Sequence, residues 1–152
     1  MKNSPLQLLS YVVADISSTA NSKFNPEKPL EMAFEQFIVD VKTNPLEPSK
    51  EFPGHHWSVE MSVTQKIKEG QNFPYEFRIV LVGMFVFLDG ALEPEKEIQF
   101  VRVNGSSMLY AAAREQIRAL TSAGPWGAII IPTLSFYDKQ PAAKEETPTK
   151  AP

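Results

Sequence analysis

The chain has 152 residues, 43% hydrophobic and 22% charged, enough to bury one core and too few for two comfortable domains. Its net charge of −3 speaks against a nucleic-acid partner, which needs a basic face. The absence of cysteine removes disulfides, thiol nucleophiles and cysteine-ligated zinc together.

Thirteen prolines, where an average chain of this length carries about eight, leave room for few long helices. The N-terminal residues carry no targeting pattern, and Leu6 to Ala14 reads as a first strand closed by Asp15. Ser17 to Met32, with Pro26 and Pro29, reads mostly as loop. Phe34 to Lys42 sets Phe37, Val39 and Val41 against Gln36, Asp40 and Lys42, a second strand ended by Asn44-Pro45. A third strand starts at Trp57, where Trp57, Val59, Met61 and Val63 alternate with Ser58, Glu60, Ser62 and Thr64. The polar break Lys68-Glu69-Gly70-Gln71-Asn72 has hairpin length.

The fourth strand, Tyr75 to about Leu88, alternates at first and is then apolar on both faces from Val80 to Phe87. A strand dry on both faces must be covered twice. A helix of the same chain covers one face, and a second subunit is expected over the other. Phe77, Ile79 and Leu81, with Ile98 and Val101, are assigned to that interface; a one-residue change of register would exchange the two faces of the strand. The run from Ile79 to Leu88 is too short to span a bilayer as a helix. No membrane insertion is expected, and the protein is expected to be soluble and cytoplasmic.

Helices follow the strands. Pro94 suits the first turn of a short helix to Val101, with Glu93 and Glu95 favouring its dipole. A longer helix starts from a cap at Ser106 or Ser107. It carries the stripe Leu109, Ala112, Ala113, Ile117 and Leu120 and stops at Gly124-Pro125. Then come Trp126-Gly127, the apolar run Ala128 to Ile131, Pro132, and Leu134 to Tyr137. From Lys139 the chain is polar with prolines, so residues 1–138 are expected to form one domain and 139–152 a disordered tail. The expected class is α+β: a four-stranded antiparallel sheet of two hairpin-like strand pairs, followed by one short and one longer helix.

Residues for catalysis are scarce. His55 and His56 are neighbours on a strand and so point to opposite faces, where they do not clasp one metal. Metalloprotease spacing, phosphate-cradling glycines and a nucleophile elbow are absent. A hotdog-type thioesterase is the enzyme reading its carboxylates permit, but that fold needs its helix early in the chain. No catalytic residue, cofactor or metal site is therefore assigned, and no enzyme activity is expected. What remains is apolar surface. Ten phenylalanines, four tyrosines, two tryptophans and five methionines exceed what a small sheet needs. Phe24, Phe34, Trp126, Leu134, Phe136 and Tyr137 fall in loops or at element ends, and as a set they suit a groove for extended apolar segments.

The stretch Leu109-Tyr110-Ala111-Ala112-Ala113-Arg114-Glu115, then Gly124-Pro125-Trp126 and Ile131-Pro132-Thr133-Leu134-Ser135-Phe136, resembles the protein-export chaperone SecB and its relatives. Val13-Ala14-Asp15-Ile16-Ser17 is similar to the end of that family's first strand, and Gly83-Met84-Phe85 to a step in its fourth. The resemblance covers roughly residues 6 to 137. It implies an antiparallel sheet with helices on one face, a homotetramer built as a dimer of dimers, and ATP-independent holding of unfolded polypeptides in a hydrophobic groove. Arg114 and Glu115 match the family's helix pair and are read as structural. The family's C-terminal helix is shortened or missing after Phe136. Export, a dedicated client such as an antitoxin in a toxin–antitoxin system, and a mobile-element client all stay open. A non-chaperone binding or assembly module on the same scaffold is the alternative. In members that serve the SecA motor, strand acids attract its basic zinc tail. Asp15 retains one of these acids, the second falls on Thr19 and the third on Arg78, so SecA binding is not expected.

Overall fold

Strands β1 (Leu6–Ala20), β2 (Phe37–Leu46), β3 (His55–Gln65) and β4 (Tyr75–Phe87) form one antiparallel sheet in the order β1-β4-β3-β2. They are seen in a computed structural model that describes residues 1–88 and 90–137. The expected tail 139–152 lies outside the described residues. β2–β3 and β3–β4 are hairpins, and β1 returns to pair with β4, which leaves β1 and β2 as the two edges.

β2 does not stop at Asn44-Pro45. On an edge strand a proline need not donate to a ladder, so pairing continues to Leu46 opposite His56. β1 likewise runs past Asp15 to Ala20, with register shifts between Leu8 and Ser10 and between Val13 and Asp15. These bulges place Leu8, Tyr11, Val13 and Ile16 opposite Phe85, Gly83, Leu81 and Ile79.

One helix, α1 (Pro94–Ser122, 29 residues), crosses one face of the sheet where a short and a longer helix were expected. Asn104-Gly105-Ser106-Ser107 does not break it. A Cβ on Gly105 would lie 3.1 Å from Val59 Cγ2, so glycine lets the helix sit close on the sheet. Neither serine acts as a cap. Ser106 Oγ donates to the Arg102 carbonyl, and Ser107 Oγ to the Val103 carbonyl at 2.8 Å, one turn back along the same helix.

Beneath α1 lie Trp57, Val59, Met61 and Val63 of β3 and Phe77, Ile79, Leu81 and Phe85 of β4, all buried. Each such side chain contributes about 1.5–3 kcal/mol by leaving water. The interface assigned from sequence therefore needs correcting, because Phe77, Ile79, Leu81 and Val101 are covered within a single chain. Ile98 is 50% exposed.

After Gly124 the chain turns back along α1 without forming a helix over residues 128–137. Arg114 Nε donates to the Ile131 carbonyl at 3.1 Å, and the Tyr110 hydroxyl donates to the Pro132 carbonyl at 2.6 Å. Burial pushes the Tyr110 hydroxyl up to about 12, so it remains a donor throughout the physiological range. Glu115 pairs with Arg118, not with Arg114, and that hydrogen bond holds its carboxyl below the usual carboxylate range.

Candidate functional site

The edge of β2 and one ridge of α1 enclose a seam. Ile98, Arg102 and Ser106 recur at four-residue spacing, so they share that ridge. Facing them on the helix side of β2 are Val39 and Val41, both half-buried, and Pro45. One cleft of about 280 Å³ has a mixed lining, with Val39, Val41, Phe136 and Tyr137 beside Asp40, Arg102, Ser106 and Ser135. A second, of about 320 Å³, has Pro45, Leu46 and Pro48 on one side and Pro94 and Ile98 on the other. From Val39 to Pro45 the strand spans about 20 Å. Among the described residues, no backbone hydrogen bond ties the outer edge of β2 to another segment. A free strand edge beside clefts that offer apolar side chains is the arrangement that accepts an added extended segment.

The second cleft has an acid in its floor. Glu97, in the first turn of α1, has a side chain only 5% exposed. Its Oε1 accepts from Trp57 Nε1 at 2.9 Å and from His55 Nδ1 at 3.0 Å, and its Oε2 accepts from the same Nδ1 at 2.8 Å. Residue-by-residue reading missed Glu97, which stands in a run of ordinary helix acids. The usable signal was a tryptophan on the buried face of β3, since a buried indole N–H needs an acceptor. His56 points away, with Nε2 2.6 Å from the Phe52 carbonyl. Among the described residues no group of three or more metal-binding side chains comes together.

The aromatics singled out from the sequence do not form one cluster. Phe136 and Tyr137 flank the seam, Phe136 lying edge-on to Tyr110 at 5.6 Å. Leu134 packs against the core. Phe34, 70% exposed, sits in the short 3₁₀ turn that enters β2. Phe24 and Trp126 meet edge-on at 5.4 Å in a different corner, where Trp126 Nε1 donates to the Asn21 carbonyl at 3.0 Å. A larger cleft of about 490 Å³ near that corner is walled by polar loops. Its buried Asn72 already donates to the carbonyls of Asn25, Lys28 and Pro29 and accepts from the Asn25 N–H. It has little hydrogen-bonding capacity left for a ligand.

Two further surfaces lie on β1. Leu8, Tyr11, Val13 and Ile16 share the helix side of the sheet yet are each 36–38% exposed, on a strand that forms one edge of the sheet. On the opposite face, Asp15 is ion-paired with Arg78 of β4. No helix among the described residues is long and apolar enough to cross a membrane.

Neither a family model nor a curated protein matches the sequence. Solved structures do match the fold. The chain is similar to a SecB-like chaperone of Mycobacterium tuberculosis, solved in complex with a ChAD peptide from the HigA1 antitoxin. The TM-score is 0.51 at 14% identity, over 86% of this chain and 91% of that one. It is also similar to a protein of unknown function from Streptococcus agalactiae, with a TM-score of 0.56 at 10% identity over 84% of this chain and 97% of that one. The four-strand sheet followed by one long helix is thus a distant SecB-like fold.

Proposed function

We propose that this protein is a SecB-like chaperone that holds non-native polypeptide, without nucleotide, as an extended segment along the seam between β2 and α1. The observation that carries this reading is the open β2 edge flanked by two clefts, one with largely apolar walls and one in which Val39, Val41, Phe136 and Tyr137 stand among the polar Asp40, Arg102, Ser106 and Ser135. The similarity to a SecB-like chaperone bound to an antitoxin peptide supports it. Main-chain hydrogen bonds to β2 supply affinity with little sequence preference. Clefts spaced along the strand favour clients with alternating apolar side chains. Phe34, Phe136 and Tyr137 extend the apolar border of the seam, while Phe24, Trp126 and Leu134 act through its supports.

The test is suppression of aggregation of a chemically unfolded enzyme in the absence of ATP. Val41→Asp puts a carboxylate in the seam at a half-buried position. It is expected to reduce holding at least tenfold in the chaperone concentration required, with an unchanged circular dichroism spectrum. If wild type does not suppress aggregation at stoichiometric concentration, the alternative stands: an assembly module that uses the same fold without holding unfolded chains.

The working unit is a homotetramer in this reading, with β1 contributing to the subunit contact. Clients other than general secretory precursors follow from the open face of the sheet. Asp15, the acid that matches the SecA-attracting position, is neutralised by Arg78, and Thr19 adds no charge. Calorimetry with the zinc-loaded SecA tail peptide is expected to give no micromolar binding. Tight binding there would remove this part of the proposal.

A further inference from the structure

Resting on the polypeptide-holding reading, we infer that the Glu97 cleft is a specificity pocket for a basic side chain, arginine or lysine, of the bound polypeptide. Glu97 is a carboxylate with nineteen-twentieths of its side chain removed from water, since only 5% is exposed. Its direct partners do not supply a permanent counter-charge. The Trp57 indole is neutral, and His55 is charged only when protonated. The His55 Nδ1 hydrogen is shared between both oxygens and the indole hydrogen goes to Oε1, so two hydrogens serve a group able to accept about four. Acceptor capacity is left on Oε2, whose one donor among the described residues is His55 Nδ1.

The rest of the cleft selects what can reach that oxygen. Pro45, Leu46, Pro48, Pro94 and Ile98 make walls without a charged group, in a space of about 320 Å³. An apolar passage ending on one buried negative charge suits a side chain with an aliphatic stem and a cationic head. Acidic side chains and the C-terminal carboxylate fit neither part, and an α-ammonium group has the charge without the aliphatic stem. The position within the seam agrees: Pro45 lies on the helix side of β2, as do Val39 and Val41 in the neighbouring cleft. A segment running along β2 thus places an apolar side chain at one station and, six residues on, a basic one at the other.

The probe is a pair of acetylated ten-residue peptides with leucine and serine alternating. In one peptide the residue six places after the second leucine is arginine, and in the other it is citrulline, the neutral isostere. Binding is read from the indole N–H resonance of Trp57, distinguished from that of Trp126 with a Trp126→Phe variant. The arginine peptide is expected to bind about fivefold to tenfold more tightly and to shift the Trp57 resonance at saturation. Glu97→Gln is expected to abolish the difference between the two peptides. Equal binding of the two peptides to wild type overturns the inference while leaving the holding reading intact, as does an arginine preference that survives Glu97→Gln. Binding of neither peptide overturns both. Should Glu97→Gln fail to fold, the wild-type comparison and a Leu46→Lys variant decide it. Leu46→Lys adds a cation at the mouth and is expected to remove the arginine preference; a preference that persists there overturns the inference.

Discussion

Val13→Asp is expected to give a smaller species than the tetramer proposed for wild type, without unfolding the chain. On one chain Leu8, Tyr11, Val13 and Ile16 form an apolar strip along β1, each 36–38% exposed, beside an edge whose outer backbone groups meet no other strand. On the opposite face of the same strand Val12 is 60% exposed. A long, apolar, unprotected edge strand invites pairing, and natural proteins either blunt it or cover it. Among the described residues, two bulges and Asp15 blunt this edge, and they leave the strip intact. A second copy across β1, as proposed, would bury the strip and satisfy the edge. Because Val13 is already partly exposed, an aspartate there costs the isolated chain little. Within the contact the same carboxylate loses its water, at a cost of several kcal/mol. Light scattering at micromolar concentration checks it. Wild type is expected near four times the 17.0 kDa of one chain, and the variant well below, with matching circular dichroism. Ile79→Asp is the contrasting control: Ile79 is fully buried under α1, so that variant is expected to unfold. A wild-type monomer would end the tetramer proposal.

Tyr75→Phe is expected to lower stability by about 2–4 kcal/mol, a fall in Tm of roughly 5–12 °C for a domain of this size. The hydroxyl stands at the corner where β4, the end of α1 and the returning chain meet. It accepts from the Trp126 N–H at 3.0 Å and lies 3.0 Å from the Gly127 carbonyl and 3.3 Å from that of Thr121, with one hydrogen to donate between them. Gly124 leaves room for the ring: a Cβ there would lie 2.6 Å from the hydroxyl oxygen. Removing the oxygen takes the acceptor from the part-buried Trp126 N–H and deprives a carbonyl of its donor, and phenylalanine fills the space without replacing either bond. Residues 128–137, which flank the seam, are anchored at this corner, so client holding is expected to weaken at temperatures below the new Tm. Scanning calorimetry decides the first part, and a Tm within 2 °C of wild type would show that the corner is held by packing alone.

Parts of the candidate site were legible in the residues and parts were not. Phe136 and Tyr137 were picked out as apolar side chains beyond the regular elements, and both border the seam. Trp126 and Phe24 carry the same signal but pack on each other and support the corner instead. Apolar character at an element end marks a contact without saying whether the contact is internal. Glu97 was invisible because its function depends on Trp57 and His55, forty and forty-two positions away.

β3 and β4 could be read from the sequence because each residue's side follows from its neighbour's by strict alternation, as in Trp57-Ser58-Val59-Glu60-Met61. The order of four strands and then helix was legible for the same reason, since each element's period is a local property of the backbone. β1 was not legible in this way. Its helix-side residues fall at positions 8, 11, 13 and 16, a spacing that makes sense only once Leu9 and Ala14 bulge out of the ladder with β4. A bulge is chosen by the partner strand, which no window of sequence contains. The unity of α1 was decided in the same manner. Gly105 and its serines look like a break to helix propensity, but packing on Val59 and Phe85 favours the smallest residue at that crossing. Which apolar face of β4 stayed available was likewise settled by where α1 came to rest, because burial is shared between surfaces distant in the chain and only the folded arrangement assigns it.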